Sequence, residues 1–491
     1  MIGMYPMRRR NALQLLAAVP WLAVPPPTLA IATAPDLAGD IDLLGEIVQT
    51  LHPGLLRYNT VAQIGDGLVA LKREFVAAPD LAGRYLALSR FLATLQCGHS
   101  YANFFNQSPA VASDLFERKT RLPFAFGWIG SEMVVTADHS GSGRLPRGSV
   151  VTAVNGIASA DLLRTLLPYA RADGNNAAKR RALLGVTGNE RIETFDVFHG
   201  LIHGAPPRGM HRLHLRLPSG KDAEVALPAL APAERRAYLP GPADAGSPNA
   251  PLWSWRAMAS GVAVLTMPTW AVYDKPWDWQ AWLEDRLNSL PGSKGLIVDL
   301  RGNEGGLDCG DLIVERFARS ESRLESRRLV RYRQTPAHLN RYLDTWDDSF
   351  RNWGDEAQRF DERYFRLADA PNTTLRPRAP HLDVPLAVLI GATNSSATFA
   401  FAQRIKALGI GTLVGETTAG NQRGINGGAF FFVRLPASKL EFDLPLIGSF
   451  AQASVPDAGI EPDLRAQTTV DDITAGRDPQ LAAALALLGA A

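Results

Sequence analysis

Two adjacent serines, Ser395 and Ser396, lie between an apolar segment and an amphipathic one. The stretch PLAVLIGATNSSATFAFAQRIKALG predicts a buried strand, a short polar turn and a helix that ends at Gly409. A hydroxyl at such a turn lies at the positive end of the helix dipole, beside backbone N–H groups that can hold a developing oxyanion. Serine is also a preferred N-cap residue, so this stretch alone leaves two interpretations open, a nucleophile or a helix cap.

Two other polar turns contain residue types that could complete such a site. In GLIVDLRGNEGG, residues 295–306, a buried strand ends in a glycine-rich turn that would let a ligand approach the backbone closely. This turn could equally cradle a phosphate, although the lysine and the Ser or Thr of a P-loop are absent. In LQCGHSYANF, His99 follows an amphipathic helix and a glycine. Taken alone, this histidine is either a proton acceptor or a structural residue.

The elements that must position these turns change in character along the chain. DIDLLGEIVQTL and LAGRYLALSRFLATL repeat apolar residues every three to four positions, which predicts a helical region over 35–110. Alternating segments such as EMVVTAD predict a β-rich domain over 115–235. After the linker LPGPADAGSPNAP, strands and helices alternate over 250–475, which predicts an α/β core with largely parallel strands. We expect the charged, aromatic-rich insertion near 320–380 to be helical and to cap this core.

The first 34 residues are predicted to be an export signal and not part of the fold. A basic start, a short apolar run and small residues up to Ala34 are typical of a secretory signal peptide. The sequence RRRNALQL also resembles a twin-arginine signal. An uncleaved membrane anchor is the alternative, but Pro20 and the PPP run shorten the apolar stretch below the length that spans a bilayer. We expect an exported protein, periplasmic or secreted, without membrane insertion after signal cleavage.

The overall composition excludes some partner classes. The 491 residues are 46% hydrophobic and 20% charged, as in ordinary globular proteins, and the length predicts more than one domain. The net charge of +2, with no long run of like charge, provides no basic surface for nucleic acid or for an anionic membrane.

Taken together, the motifs resemble a known family. HPGLLRYNT, CGHS, LIVDLRGNEGG, NSSATFAFA, LVGETTAG and GIEPDL occur in this order and resemble the tail-specific, or C-terminal processing, peptidase family of serine proteases. The resemblance covers most of the chain after the signal and is strongest from about Ser260. The stretch RLPRGSVVTAVNGIASADLL also resembles the PDZ-like module that these proteases carry before their catalytic core.

The resemblance has consequences for fold and activity. It implies a ClpP/crotonase-like α/β spiral core, preceded by the helical region and by a PDZ-like β-rich domain. It also implies that the protein cleaves a peptide or protein substrate through an acyl-enzyme, as an endopeptidase or a carboxy-terminal processing peptidase, with no metal or other cofactor. The PDZ-like module would either bind the C-terminus of the substrate or act as a scaffold.

The family has two mechanistic branches, and the residues of this chain distinguish between them. One branch uses a Ser–Lys dyad with the lysine in a G-E-x-T-x-G-K segment, but the matching segment here is GETTAGNQ, with Asn421 in the place of the lysine. An asparagine amide cannot accept a proton at neutral pH, and the nearby Arg423 is always charged. The other branch, typified by the tricorn core protease, uses a histidine from the N-terminal region, and His99 in CGHS matches it.

The resemblance also implies the role of each site residue. In the register of the family Ser396 is the nucleophile and His99 its base, whereas Ser395 is one position too early and is interpreted as a cap or part of the site wall. The oxyanion donors implied are the N–H of Ala397 and that of Gly305 or Gly306. One departure is Phe399, where many relatives have Glu. The acid that orients the histidine is assigned to Asp457, with Glu461 as the alternative and Asp463 as a structural residue.

Two other residue sets suggest further sites. His199, His203, His211 and His214 lie within sixteen residues, but HRLHLRL predicts a strand that places its two histidines on opposite faces, and no carboxylate joins them at ligand spacing. We therefore expect no metal site. Cys97 and Cys309 flank the proposed catalytic elements, and we hypothesise a disulfide between them, with two buried free thiols as the alternative.

Two other functions remain open from the sequence. The same fold serves as a catalytically silent ligand- or peptide-binding scaffold in retinoid-binding relatives, and intact Ser396 and His99 argue against that function. A crotonase-like acyl-CoA enzyme would share the fold but not the motifs, and export from the cytoplasm argues against it. The sequence does not predict the substrate, the cleavage preference or the oligomeric state.

Overall fold

The computed structural model describes residues 36–188, 190–238 and 249–490. The predicted signal peptide and most of the predicted linker lie outside these ranges. The chain begins with helices α1 (Leu37–Leu51), α2 (Val61–Ala77), α3 (Leu81–Thr94) and α4 (Pro109–Phe116). Each has a side-chain N-cap, for example a capping box at Thr60 and an Asp80 carboxylate that accepts the N–H of Gly83. The buried end of α3 leads directly into the segment that contains His99.

A β-rich module follows these helices. Its elements are β1 (Phe124–Ile129), β2 (Glu132–Asp138), β3 (Val150–Val154), β4 (Ile157–Ala158), α5 (Ser159–Leu166), α6 (Ala177–Leu183), α7 (Thr194–His203), β5 (Met210–Arg216), β6 (Asp222–Pro228) and α8 (Pro232–Arg236). The strands form an antiparallel sheet in the order β1-β2-β3-β5-β6, with β4 paired to β3. Every second residue of β5 is buried, as expected of a sheet with one covered face.

The α/β core begins with β7 (Ser254–Ala257), β8 (Val262–Thr266), α9 (Trp279–Asn288), β9 (Gly295–Asp299) and α10 (Asp311–Phe317). The next segment contains the short strands β10 (Ser322–Arg323), β11 (Ser326–Val330), β12 (Leu343–Asp344), β13 (Gln358–Arg359), β14 (Phe365–Arg366) and β15 (Thr374–Leu375). The chain then continues through β16 (Leu386–Ile390), α11 (Ala397–Leu408), β17 (Thr412–Gly415), β18 (Asn426–Arg434), β19 (Glu441–Ala451), β20 (Leu464–Arg465), α12 (Val470–Ala475) and α13 (Pro479–Leu487).

The central sheet of the core is buried on both faces. Its order is β20-β17-β16-β9-β8-β7, and all pairs are parallel except β7 with β8. Along β16, Val388 and Ile390 pack into the layer that contains α9, α10 and α11, whereas Ala387 and Leu389 face the layer that contains α13. This arrangement confirms the predicted α/β class, and it explains the continuous apolar runs of the core strands.

The insertion near 320–380 is not helical, contrary to the expectation from sequence. Its strands β11 to β14 join β18 and β19 in an antiparallel sheet of order β12-β18-β19-β11-β14-β13, and short turns connect them. The physical reason is tertiary, because β11 finds its partner β19 more than 100 residues later, where Arg327 pairs with Phe450. Local propensity carries no information about such a partner.

This second sheet binds the N-terminal helices to the core. The Asp40 carboxylate in α1 accepts the N–H groups of Ala437 and Ser438, at 2.8 and 2.7 Å. The Arg57 guanidinium donates to the carbonyls of Gly424 and Ser449, both at 2.8 Å. These long-range bonds hold the region around His99 against the catalytic core. None of the helices in the described ranges is both long enough and apolar enough to cross a membrane.

Candidate active site

Ser396 occupies a strained turn between β16 and α11. Its backbone has φ 55° and ψ −126°, a conformation that costs a non-glycine residue about 1–3 kcal/mol and is typically kept for function. Although Ser396 is the N-cap residue of α11, its side chain makes no capping hydrogen bond to any described residue. Of the two interpretations left open by the sequence, a nucleophile is therefore the one that the geometry of Ser396 favours.

Buried hydrogen bonds fasten this turn to the glycine-rich turn after β9. The Asn394 side chain accepts the N–H of Gly391 at 2.7 Å and donates to the carbonyls of Leu300 and Asn303, at 2.6 and 2.9 Å. The Thr398 hydroxyl lies 2.8 Å from the Ser395 carbonyl and 3.1 Å from the Asn303 carbonyl, and it can donate to either. Asn394 and Thr398 are fully buried, so the two turns are held as one rigid unit.

The two glycines of this turn lie directly against the serine. A Cβ added to Gly305 would lie 2.9 Å from the Ser396 Cβ and 3.0 Å from the Ala397 nitrogen, and one added to Gly306 would collide with the Trp270 backbone. Both glycines have positive φ, 108° and 141°. Only glycine satisfies both requirements at these positions.

The hydrogen bonds of this turn separate the two candidate oxyanion donors. The Gly305 N–H already donates to the Asn303 Oδ1 at 2.9 Å. By contrast, the N–H groups of Gly306 and Ala397 have no acceptor among the described residues. Free N–H groups at a helix N-terminus beside a serine are the donors that an oxyanion requires. Gly306 and Ala397 are thus available for this role, and Gly305 acts as the spacer that lets them approach Ser396.

Ser395 faces away from the cavity, into an ionic network in which Lys179 is fully buried and Glu304 is partly exposed. It is 2% exposed, its Oγ accepts a hydrogen bond from the Lys179 Nζ at 2.9 Å, and it donates to the Glu304 carbonyl at 3.2 Å. The Glu304 carboxylate in turn lies 3.1 Å from both the Lys179 Nζ and an Arg171 nitrogen. The hydroxyl of Ser395 is therefore occupied by this network, and its role as a cap or as part of the site wall stays a prediction.

Sequence reasoning missed this ionic network. Burial would raise the pKa of Glu304, but the charges of Arg171 and Lys179 outweigh it and lower the value to about 2. Burial lowers the pKa of Lys179, and Glu304 opposes that effect. In NNAAKRRALL the lysine stands beside two arginines and resembles a solvent-exposed helix face, so the local sequence contains no signal that Lys179 is fully buried.

His99 is held on the other side of the network. The preceding residue, Gly98, donates its N–H to the Asp173 Oδ1 at 2.8 Å and accepts from an Arg171 nitrogen at 2.7 Å. Burial lowers the pKa of His99 to about 4; Asp173 raises it and Lys179 lowers it further. The imidazole is therefore neutral at pH 7 and able to accept a proton. Because Lys179 and Glu304 both act on His99 and contact Ser395, His99 and the neighbour of the candidate nucleophile border the same network.

The predicted acid Asp457 lies beside Gly174, close to the histidine segment, but its carboxylate contacts other side chains. Its Oδ1 accepts a hydrogen bond from the Asn421 Nδ2 at 2.6 Å, and its other oxygen lies 3.7 Å from Arg423. In the described part of the chain, no contact joins Asp457 to His99, and Asp457 is not among the charges that shift the pKa of His99. The role assigned to Asp457 stays a prediction.

The alternative acid Glu461 and the residue interpreted as structural, Asp463, are paired as well. Glu461 accepts from the Thr417 hydroxyl at 2.8 Å and pairs with Arg465. Asp463 accepts the N–H of Leu413 at 2.9 Å and pairs with Lys406 at 3.1 Å.

A cavity of about 610 Å³ opens at the candidate nucleophile. Ser396, Ala397 and Gly306 line it on one side, and Asn421 and Gly427 on another, whereas Ser395 does not line it. Its size is that of typical ligand pockets. Of the two serines, Ser396 is thus the one that a bound substrate could reach.

The other two residue sets form no site. Cys97 and Cys309 are free and buried, so the hypothesised disulfide was wrong: Cys97 accepts a hydrogen bond from Asn426 at 3.2 Å, and Cys309 packs in the apolar layer of the core. The rings of His199 and His203 lie 5.1 Å apart. Within residues 36–188, 190–238 and 249–490, no three His, Cys, Asp or Glu side chains are placed to hold a metal ion.

Comparisons with known proteins concern the family of the core and the overall fold. Residues 261–439 match the model of peptidase family S41. Mature CPAF in complex with lactacystin covers 90% of this chain and 95% of its own, with a TM-score of 0.60 and 14% identity. The match to a CPAF mutant covers 90% of this chain and 94% of the mutant's, with a TM-score of 0.60 and 17% identity. A photosystem II D1 C-terminal processing protease covers 89% and 96% at 14% identity, with a TM-score of 0.40. No curated protein sequence matches the chain.

The family match and the fold cover different parts of the molecule. The matched range contains Ser396 and the glycine-rich turn, whereas His99 lies outside it. The likeness to CPAF extends over the N-terminal helices and the β-rich module and shows that the whole fold is shared. The sequence match over residues 261–439 identifies a serine-type peptidase domain of family S41, and the chain as a whole shares the fold of CPAF.

Proposed function

We propose that this serine peptidase uses Ser396 as its nucleophile, His99 as its general base, and the N–H groups of Gly306 and Ala397 as its oxyanion hole. The observation that carries the proposal is the strained conformation of Ser396, which places its side chain at the cavity beside two N–H groups without acceptors in the described chain. The neutral His99 fits the role of base because burial keeps its pKa low, at about 4.

The reaction follows from these groups. His99 accepts the hydroxyl proton of Ser396 as the Oγ attacks the carbonyl carbon of the substrate, and Gly306 and Ala397 donate to the resulting oxyanion. The imidazolium then transfers the proton to the leaving amine, the C–N bond breaks, and an acyl-enzyme remains. A water molecule, deprotonated by His99, releases the acyl group as a carboxylic acid and restores the serine hydroxyl.

The substrate is proposed to be an exported peptide or protein, because the predicted signal peptide directs the enzyme out of the cytoplasm. The outer edge of β1 is already paired within the chain, since Phe126 and Val186 exchange hydrogen bonds of 2.8 and 3.0 Å. A substrate C-terminus that added a strand at that edge would have to displace Val186 from Phe126. This supports a scaffolding role for the PDZ-like module over recognition of C-termini at β1.

A fluorophosphonate probe tests the catalytic assignment, because it labels only an activated serine. We expect labelling of the mature protein, loss of labelling in Ser396→Ala and His99→Ala, and retained but slower labelling in Ser395→Ala. Lactacystin, which is bound to CPAF in one solved structure, is a second probe for the same serine. Labelling that persists in Ser396→Ala would refute the assignment. An unlabelled wild-type protein would instead favour the catalytically silent binding function.

A further inference from the structure

The segment before α6 runs beside the histidine segment and holds it along its backbone. Gly174 donates its N–H to the Gln96 carbonyl at 2.9 Å, and the Asp173 carboxylate accepts the N–H of Gly98 at 2.8 Å. A Cβ on Gly98 would lie only 2.6 Å from the Asp173 Oδ2. Asp173, which is 1% exposed, therefore lies directly against the residue that precedes His99.

Two polar atoms at this place lack partners. The Asp173 Oδ2 and the His99 Nδ1 are both buried, and neither has a hydrogen-bond partner among the described residues. Leaving a buried donor or acceptor unpaired costs about 1–3 kcal/mol, and more for a charged group. A carboxylate oxygen only accepts and a protonated ring nitrogen only donates, so the two atoms are chemically complementary.

The other carboxylates near the site are already paired. Glu304 is shared between Arg171 and Lys179, and Asp457 is occupied by Asn421 and Arg423. The competing donor near Asp173 is the buried Tyr58 hydroxyl, which also has no partner among the described residues and whose ring lies against Gly174. Asp173 thus has one oxygen free for either His99 or Tyr58.

We propose that Asp173 is the carboxylate that orients His99, by accepting a hydrogen bond from its Nδ1–H so that Nε2 faces Ser396, in place of Asp457. This inference rests on the proposed function of Ser396 and His99. Asp173 is then a positioning residue, which holds the imidazole in one tautomer and stabilises the imidazolium that forms during catalysis.

The charges around His99 determine the sign of the expected pH effect. Burial lowers the pKa of His99, Asp173 and Glu304 raise it, and Lys179 and Arg171 lower it. Asp173 also acts on the titratable groups of Arg57, Tyr58 and Cys97. Replacing Asp173 by a neutral residue therefore lowers the pKa of His99 further, and the acid limb of the activity profile moves to lower pH.

The test compares Asp173→Asn with the wild type through the rate of fluorophosphonate labelling as a function of pH. The asparagine Oδ1 can still accept the Gly98 N–H, so the backbone contact is retained. The NH₂ group that replaces the second carboxylate oxygen cannot accept a hydrogen bond from the Nδ1–H of His99. We expect labelling at pH 7 to slow by about 10²- to 10⁴-fold, the range for a lost orienting aspartate, and its acid limb to shift to lower pH. The matched controls Asp457→Asn and Tyr58→Phe should change the rate less than tenfold.

The outcomes separate this inference from the function on which it rests. An unlabelled wild-type protein refutes the proposed nucleophile. If the wild type is labelled, two results overturn the role of Asp173. One is that Asp173→Asn keeps the wild-type labelling rate and pH profile. The other is that the large loss of labelling occurs in Asp457→Asn instead. Because Asp173→Asn could fail to fold, nitrogen-15 NMR of the wild-type histidines provides an independent measurement. The inference requires the Nδ1–H tautomer for neutral His99, and the Nε2–H tautomer would overturn it.

Discussion

Gly305 offers a sharp test of the oxyanion hole because the same turn contains a matched control. Alanine at Gly305 would place a methyl group 2.9 Å from the Ser396 Cβ and 3.0 Å from the Ala397 nitrogen, where real Cβ atoms are essentially never found. Alanine at Gly302 would meet no described atom within 4 Å. Both glycines have positive φ, 108° and 84°, so both substitutions carry backbone strain.

The expected magnitudes follow from these contacts. The strain at positive φ costs about 1–2 kcal/mol in either variant, so both should melt a few degrees below the wild type. Only Gly305→Ala also pushes the Ser396 turn away and covers the Ala397 N–H. Loss of one oxyanion donor slows catalysis by about 100- to 1,000-fold. We therefore expect Gly305→Ala to be labelled by fluorophosphonate at least about 100 times more slowly than Gly302→Ala.

The measurement is the second-order labelling rate of each variant at pH 7, with a thermal unfolding curve to match their stabilities. If Gly305→Ala is labelled as fast as Gly302→Ala at similar melting temperatures, the donors do not lie at Gly306 and Ala397. A Gly302→Ala variant that loses labelling while folded would show that the turn responds to strain alone, and the steric explanation would fail.

Three further predictions concern the base and the buried network. Burial lowers the pKa of His99 to about 4, so the labelling rate should stay level from pH 8 to pH 6 and fall as the pH approaches 4; a midpoint near 6.5 would contradict that environment. Adding Asn421→Lys to the His99→Ala variant should not restore labelling. Asp457 lies 2.6 Å from the Asn421 amide and would keep a lysine at that position protonated. Restored labelling would show that a Ser–Lys dyad can form. Lys179→Met removes one of the two cations that contact Glu304. It should lower the free energy of unfolding, measured by denaturant titration, by about 1–3 kcal/mol. An unchanged free energy would mean that the Glu304–Arg171 pair is stable without Lys179.

Local pattern was sufficient to predict the elements that carry Ser396. An apolar run, a polar turn and a helix ending in glycine describe β16, the strained turn and α11, and Gly409 has the left-handed conformation expected of a C-cap. The alternation of strands and helices likewise predicted the parallel core sheet. In these places the information lies within about 20 residues of sequence.

Where the chain depends on distant partners, sequence reasoning failed. The insertion near 320–380 pairs with β19, more than 100 residues later in the chain. The charged and aromatic residues of the insertion do not indicate which strand it will pair with. Lys179 and Asp173 reach the site only because the segment before α6 docks on the residues around Gly98. The disulfide hypothesis failed for the same reason, since closeness of two cysteines to active-site motifs does not place their sulfur atoms together.

The bonds that join α1 and the histidine segment to the second sheet also set an order of events in time. The Asp443 carboxylate accepts from Asn103 and Asn106, at 2.7 and 2.9 Å, and its N–H donates to Tyr101 at 3.0 Å. His99 is therefore fastened in place by a strand that a ribosome makes more than 300 residues later. A growing chain therefore contains the histidine segment long before the strand that holds it. The proposed site can assemble only after β19 has been synthesised.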